Sequence, residues 1–300
     1  MGGDIGDQIC AEPTLRYAFN QFKSWATFTL ASENPEFFKH LPFSKVFNLK
    51  EVTPNWDNYL VFDTIVPPTH LTWEFFSHCV TNCVDFPTLC ALRSTLPIKD
   101  KEIQMTPNSP KEEYAELINK KSVFIHPGKH WKSKTFPKDW WDTVLKLLIT
   151  ESITPIIIGG DADDNRGTVD IDTSGCVDLR NKLSWEDSIW LLQRATVLIT
   201  NDSAPLHMAA SYDPREPEST GHCWIGYVAT CKHPDFITHW RKGQWSYHMQ
   251  NLGKGGMWEI TDHCPNKKEE VRVDEVGLEI LKTWLPSPSE VLEFVKDKVK

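Results

Sequence analysis

"TVLITNDSAPLHMAAS" (196–211) is the stretch whose reading decides the fold. Residues 196–200 are apolar or β-branched and read as a buried strand. Asn201, Asp202 and Ser203 follow, the residue types that favour turns and helix starts. A helix pattern then opens at Ala204. Strand, loop and helix in this order make half of a βαβ unit, and ligands of such folds sit at the carboxyl ends of the strands. A helix start presents unpaired backbone N–H groups and the positive end of a dipole, which favours an anion. Ser203 adds a hydroxyl, and His207 falls one turn into the helix. The plainer alternative is that Asp202 and Ser203 only cap the helix while His207 is a satisfied buried histidine.

Working outward, the same alternation fills the second half of the chain. "SVFIHPG" (122–128) reads as a strand ending in a turn, and 136–150 as a helix with Pro137 near its first turn. "ITPIIIGG" (153–160) is a strand entering a glycine turn. Residues 183–195 form a helix in which Ser184 and Asp187 fit a capping box. "CWIGYVAT" (223–230) is a further strand, and Ser287 or Ser289 caps a last helix. The first half alternates as well: a helix over 12–24, strands at 26–32, 45–49 and 59–66, a short helix opened by Asn34 and Pro35, and a helical pattern over 70–92. The polar segment 106–121 reads as a linker. The expectation is an α/β protein with two Rossmann-like domains, parallel sheets facing a cleft: residues 1–110, residues 111–285, and a terminal helix over 286–300.

Composition sets bounds on function. Three hundred residues, 40% hydrophobic and 24% charged, suit two ordinary domains. A net charge of -9 argues against coating nucleic acid by charge alone, though not against a local basic groove. The eight cysteines form no CxxC, their spacing is irregular and no signal peptide is read at the N-terminus, so reduced thiols and a cytoplasmic location are expected. No apolar run approaches the ~20 residues of a membrane span. His222, Cys223, Cys231, His233, His263 and Cys264 lie close in sequence but fit no common zinc spacing.

Three further loops carry candidate chemistry. "HPGKHWKSKTFP" (126–137) places Gly128, Lys129, His130, Trp131, Lys132 and Lys134 after a strand, where lysines can neutralise a pyrophosphate and an indole can stack on a base or sugar. A solvated basic turn is the bland alternative. "GGDADDN" (159–165) sets Asp161, Asp163 and Asp164 after a tight turn, where an acid can accept from ribose hydroxyls. The opening "MGGDIGDQIC" looks like a ligand loop: Gly6 permits close approach and Asp7 heads a helix. An ionised carboxylate there is a cap, or a general base toward a hydroxyl.

"GDIGDQICAEPTLRYA", "KTFPKDWWDTVLKLL", "IIIGGDADD" and "NDSAPLHMAA", in that order, resemble the ADP-heptose:lipopolysaccharide heptosyltransferase family, glycosyltransferase family 9. The resemblance runs from residue 2 to about 245 and is strongest over 178–210. It implies a GT-B fold and an inverting transfer from a nucleotide-diphospho-sugar, such as ADP-heptose, to a glycan or lipopolysaccharide-like acceptor, with no cofactor and no metal. Carried over by position, Asp7 is the base. Lys134 holds the diphosphate, Asp163 or Asp164 faces the ribose, and Asp202, Ser203, Ala204 and His207 form the phosphate-binding helix start. Gly6, Gly128, Lys129 and Trp131 are further contacts to donor or acceptor. Ala204 departs from the glycine of the pattern, residues 211–222 look long, and 70–110 matches poorly. A modified DNA base is an alternative acceptor, with "RKGQW" and the 129–134 lysines as a groove; a catalytically inactive sugar-nucleotide-binding protein is another alternative. The family also places a buried strand before the opening loop, where this chain has only Met1. The expectation is therefore a sheet with a gap or exposed edge, and a poorly anchored Asp7.

Overall fold

The computed structural model describes residues 5–53, 55, 57, 86–119, 121–129, 135–163, 167–227, 246–248 and 286–299. The strand expected at 59–66 and most of the helical pattern over 70–92 lie outside the described residues; its end is the helix Phe86–Arg93.

The main sheet has six strands, all parallel: β3 (Ser122–His126), β4 (Thr154–Ile157), β5 (Val177–Asp178), β6 (Val197–Thr200), β7 (Trp224–Tyr227) and β8 (Ser246–His248). Their order is β5-β4-β3-β6-β7-β8. The chain starts in the middle, builds outward to one edge, then returns to build the other. This is the doubly wound arrangement, and its direction reverses between β3 and β6. The crevice at the carboxyl ends of those two strands is thus the place where the topology opens room for a ligand.

Strand composition explains the burial. All of β3 and β6 is buried, as a sheet covered on both faces requires. Alternate side chains enter different layers. Val123, Ile125, Ile157, Val197 and Ile199 pack with Trp141, Val144, Leu145 and Leu148 of the helix Lys138–Thr150, and with Val291 and Val295 of the last helix, Pro288–Lys298. Phe124, Ile156, Leu198 and Ile225 face the other way, onto Ile189, Leu191 and Leu192 of the helix Trp185–Arg194 and onto Leu206 and Met208. The Ser184–Asp187 capping box forms, and Ser287, rather than Ser289, caps the last helix in a second box with Glu290. The linker stretch is not bare: it holds helical turns at Glu112–Ala115 and Glu116–Asn119.

The first half supplies a two-stranded parallel sheet among the described residues, β1 (Thr29–Ser32) with β2 (Lys45–Asn48). Before it come α1 (Ile5–Cys10) and α2 (Glu12–Phe22). Glu12 is buried and clamps this region: its Oε1 accepts from Arg16 Nε at 2.8 Å and lies 2.9 Å from His40 Nε2, while Oε2 accepts from the Gln104 amide at 2.9 Å. Residues 103–105 continue into the second half, because Tyr212 N donates to Ile103 O and Met105 N donates to Tyr212 O, both at 3.0 Å.

The opening stretch differs from its expected form. Residues 5–10 are helical rather than loop, so Gly6 and Asp7 sit in the first turn of α1. Nor is α1 loosely held. Ile9 and Cys10 are fully buried, and Gln8 Oε1 accepts from Ser32 Oγ at 2.9 Å and from Asn34 Nδ2 at 3.2 Å. Residues 1–4 lie outside the described residues.

Candidate active site

β3 and β6 end side by side, with Phe124, Ile125 and His126 paired to Leu198, Ile199 and Thr200. The turns that follow face each other across the reversal point. Asn201 links them: its Nδ2 donates to Gly128 O at 2.8 Å. The turn after β3 is tied to the loop after β4 as well. Lys129 N donates to Gly167 O at 3.0 Å, Val169 N to Pro127 O at 2.8 Å, and the Lys129 ammonium to the Ala162 carbonyl. Lys129 therefore braces two loops. Asp163 is exposed on the second of them. His130, Trp131, Lys132, Lys134 and Asp164 lie outside the described residues, as do Cys231, His233, His263, Cys264 and the 241–245 stretch.

A buried histidine sits at the centre of these turns. His126 Nδ1 lies 3.0 Å from Ser203 Oγ and 3.4 Å from Thr200 Oγ1. Two glycines accommodate its ring. A Cβ on Gly128 would come within 2.5 Å of His126 Cε1, and one on Gly159 within 2.7 Å of His126 Cδ2. Gly159 also has φ +117°, a conformation that side chains resist. Burial pushes the imidazole down to about 4, against a lesser opposing contribution from Asn201, so the ring is neutral at pH 7.

Ser203 begins the helix Ala204–Ala210, here α3, but its side chain makes no capping bond. The backbone is extended there, and the hydroxyl turns back to His126 and to Asn201 O at 3.3 Å. Simple helix capping by Ser203, the bland expectation, is thus not what this side chain does. Asp202 and His207 are both buried beside it. Ala204 is partly buried against the same core.

The opening helix meets this same place. α1 packs on α3. Cys10 Sγ lies 3.1 Å from His207 Nδ1. A Cβ on Gly6 would fall 2.8 Å from His207 Cδ2 and 3.0 Å from its Nε2, so only glycine lets the turn that carries Asp7 approach the imidazole this closely. Gly6 thus meets Ala204 and His207, with Asp7 next to it on α1, Asp202 and Ser203 just before α3, and Gly128 tied to the same loop through Asn201. Residue-by-residue reading had not singled out His126, Thr200 or Cys10. A histidine closing an otherwise apolar strand and followed by Pro-Gly was the available signal for the first of these.

At the same end of the sheet, Arg180 N and Nε donate to Asp178 Oδ1 at 3.1 and 3.0 Å, and Nη2 donates to Asp178 Oδ2 at 2.7 Å. The guanidinium bonds hold the Asp178 carboxyl below its usual range. Of the zinc candidates, Cys223 is fully buried and its thiol is pushed up by burial, while His222 is exposed. Among the described residues no group of three or more His, Cys, Asp or Glu side chains could hold a metal ion.

The fold resembles those of solved glycosyltransferases. A glycosyl transferase family 9 structure from Veillonella parvula superposes with a TM-score of 0.60 at 11% identity, covering 100% of this chain and 95% of that one. The dodecameric iron-containing heptosyltransferase TibC from enterotoxigenic E. coli, in complex with ADP-D-beta-D-heptose, gives 0.62 at 15% identity, over 99% and 75%. E. coli ADP-heptose lps heptosyltransferase II gives 0.53 at 12% identity, over 99% and 97%. No curated protein sequence matches. The fold, then, is that of the GT-B glycosyltransferases. The sequence narrows this: residues 81–216, a little under half of the chain, match glycosyltransferase family 9 (heptosyltransferase), and with the fold this marks the chain as a glycosyltransferase. The matched span contains the turns at 126–129, 159–163 and 201–207 but not Gly6 or Asp7. Among the described residues no helix is long and apolar enough to cross a membrane.

Proposed function

We propose that the protein moves a sugar, heptose in the first instance, from a nucleotide-diphospho-sugar to a hydroxyl of a lipopolysaccharide-like glycan, with inversion. The observation that carries this reading is the packing of the Gly6–Asp7 turn on His207 at the reversal point of a doubly wound sheet. One helix brings a carboxylate and the other brings the Asp202–Ser203–Ala204 turn, so base and leaving-group site belong to one contact.

In this reading Asp7 accepts the proton of the acceptor hydroxyl. The freed oxygen pair attacks the anomeric carbon from the face opposite the diphosphate. The bond between that carbon and the phosphate oxygen breaks, and the nucleoside diphosphate leaves with the electrons. Ser203 and the backbone of the α3 start receive the negative charge that grows on the phosphate, together with Lys134. Asp163 or Asp164 takes the ribose, and Trp131 stacks on the base or sugar. No metal or cofactor is assigned a part. The match over 81–216 and the ADP-D-beta-D-heptose held by TibC favour ADP-heptose as donor.

The test is Asp7→Asn. A general base of this kind contributes roughly 10²–10⁴ in rate. Turnover of ADP-heptose with a lipopolysaccharide-core acceptor, followed by mass spectrometry, is expected to fall by at least about 100-fold, while ADP affinity changes less than about twofold. Retained turnover removes Asp7 from the base role. Transfer to DNA but not to glycan replaces the acceptor. Donor binding by a wild type that transfers to neither makes the chain a non-catalytic binder.

A further inference from the structure

His126 lies behind the proposed donor site without belonging to the motif that defines it. Its ring is held by two glycines, and Nδ1 lies near two hydroxyl oxygens. Ser203 Oγ is nearest at 3.0 Å; Thr200 Oγ1, at 3.4 Å, is at the limit of a hydrogen bond. Both hydroxyls have another acceptor for their own protons. Thr200 Oγ1 donates to Asn201 O at 3.1 Å, and Ser203 Oγ reaches the same carbonyl at 3.3 Å. A Ser203 hydroxyl proton turned to that carbonyl leaves the serine oxygen able to accept from an imidazole N–H.

We propose that His126 is a positioning residue for the donor site: its Nδ1–H donates to Ser203 Oγ, so that the serine hydroxyl keeps its own proton for an oxygen of the donor diphosphate. When the donor enters, the Ser203 proton turns from Asn201 O to the phosphate, and the imidazole bond keeps the oxygen in place. Burial suits this task, because a neutral ring keeps one nitrogen as donor and adds no charge beneath the site. Gly128 and Gly159 suit it too, since they fix the ring plane that sets the serine rotamer. The inference rests on the reading of residues 202–207 as the donor site.

Two measurements on the full chain test it. In wild type, long-range ¹H–¹⁵N spectra of the His126 ring are expected to show the proton on Nδ1; a proton on Nε2 overturns the proposal. In calorimetry, ADP, GDP, UDP and CDP are titrated, and the one bound by wild type is carried through the variants. S203A and H126Q are each expected to weaken binding about tenfold, the loss of one hydrogen bond to a charged ligand. The double variant is expected to lose no more than either single one, because both changes remove the same contact. H126N, whose amide nitrogen reaches the position of Nδ1, is expected to bind within about threefold of wild type.

H126Q binding like wild type, or a double variant weakened about 100-fold by two additive losses, overturns the proposal while leaving the donor site intact. An unaffected S203A, or a wild type that binds none of the four nucleotides, brings down the donor-site reading and the proposal with it. Should H126Q fail to fold, the tautomer seen in wild type still decides.

Discussion

The two sides of the proposed site are built by different means. The turns after β3 and β6 are fixed by central, fully buried parallel strands, so their positions follow from sheet register. The Gly6–Asp7 turn belongs to a six-residue helix, placed by what it packs on: His207, Ser32 and Asn34. Where the backbone ladder sets geometry, side chains are free to specialise, and His126 and Ser203 have done so. Where packing sets geometry, small residues carry the precision, and Gly6 is the one that matters. The turns after β3 and β6 should accordingly resist perturbation until their backbone is strained, and the opening helix should yield sooner but at lower cost.

The strongest challenge to that contrast is Gly159→Ala. The new Cβ would strike the buried His126 ring and Thr168 Cγ2, at 2.7 and 2.8 Å, in a backbone conformation alanine resists. Overpacking and strain together are expected to cost about 3–4 kcal/mol in urea unfolding. A loss below about 1 kcal/mol would mean the ring is not held as described.

Next in size is the response to acid. The folded protein protonates His126 only near pH 4, and the unfolded chain does so at 6.5. Between these values the unfolded state holds more protons, so the free energy of unfolding falls as pH falls. From neutral pH to pH 5 the His126 contribution is expected to drop by about 2 kcal/mol. Unfolding of wild type and His126→Asn at both pH values isolates it: the difference between them should change by that amount, and a constant difference would refute a buried neutral imidazole.

The smallest expected effect is on the opening helix. Gly6→Ala puts a Cβ 2.8 Å from His207 Cδ2, but α1 can shift on α3. Stability is expected to fall by only about 1 kcal/mol, while turnover falls about tenfold because Asp7, the proposed base, moves with its helix. Equal losses at Gly6 and Gly159 would erase the distinction between the two sides.

Much of this was legible in the sequence because it depends on local pattern. The strand at 196–200, the Ser184–Asp187 box and the helix behind Pro137 each declare themselves within a few residues. The two-residue strand β5 did not, since so short a run has no periodicity to read. The helix at Ile5–Cys10 was hidden by its glycine, which is a poor helix former in isolation and is tolerated here because His207 needs the room. His126 was quoted within its turn, yet nothing local distinguished it from an ordinary last residue of a strand.

What the sequence determined by itself was the alternation of strands and helices, and with it Rossmann-like parallel sheets with the candidate loops at the strand ends. Each such element is stabilised by periodic burial and end caps that neighbouring residues provide. Only the tertiary structure decided that Gly6 lies on His207, that Cys10 meets the same ring from 197 residues away, and that Ser203 turns back to His126 instead of capping its helix. Contacts of that kind depend on which strands end side by side and how closely two backbones can approach, and no pattern of neighbours along the chain encodes either.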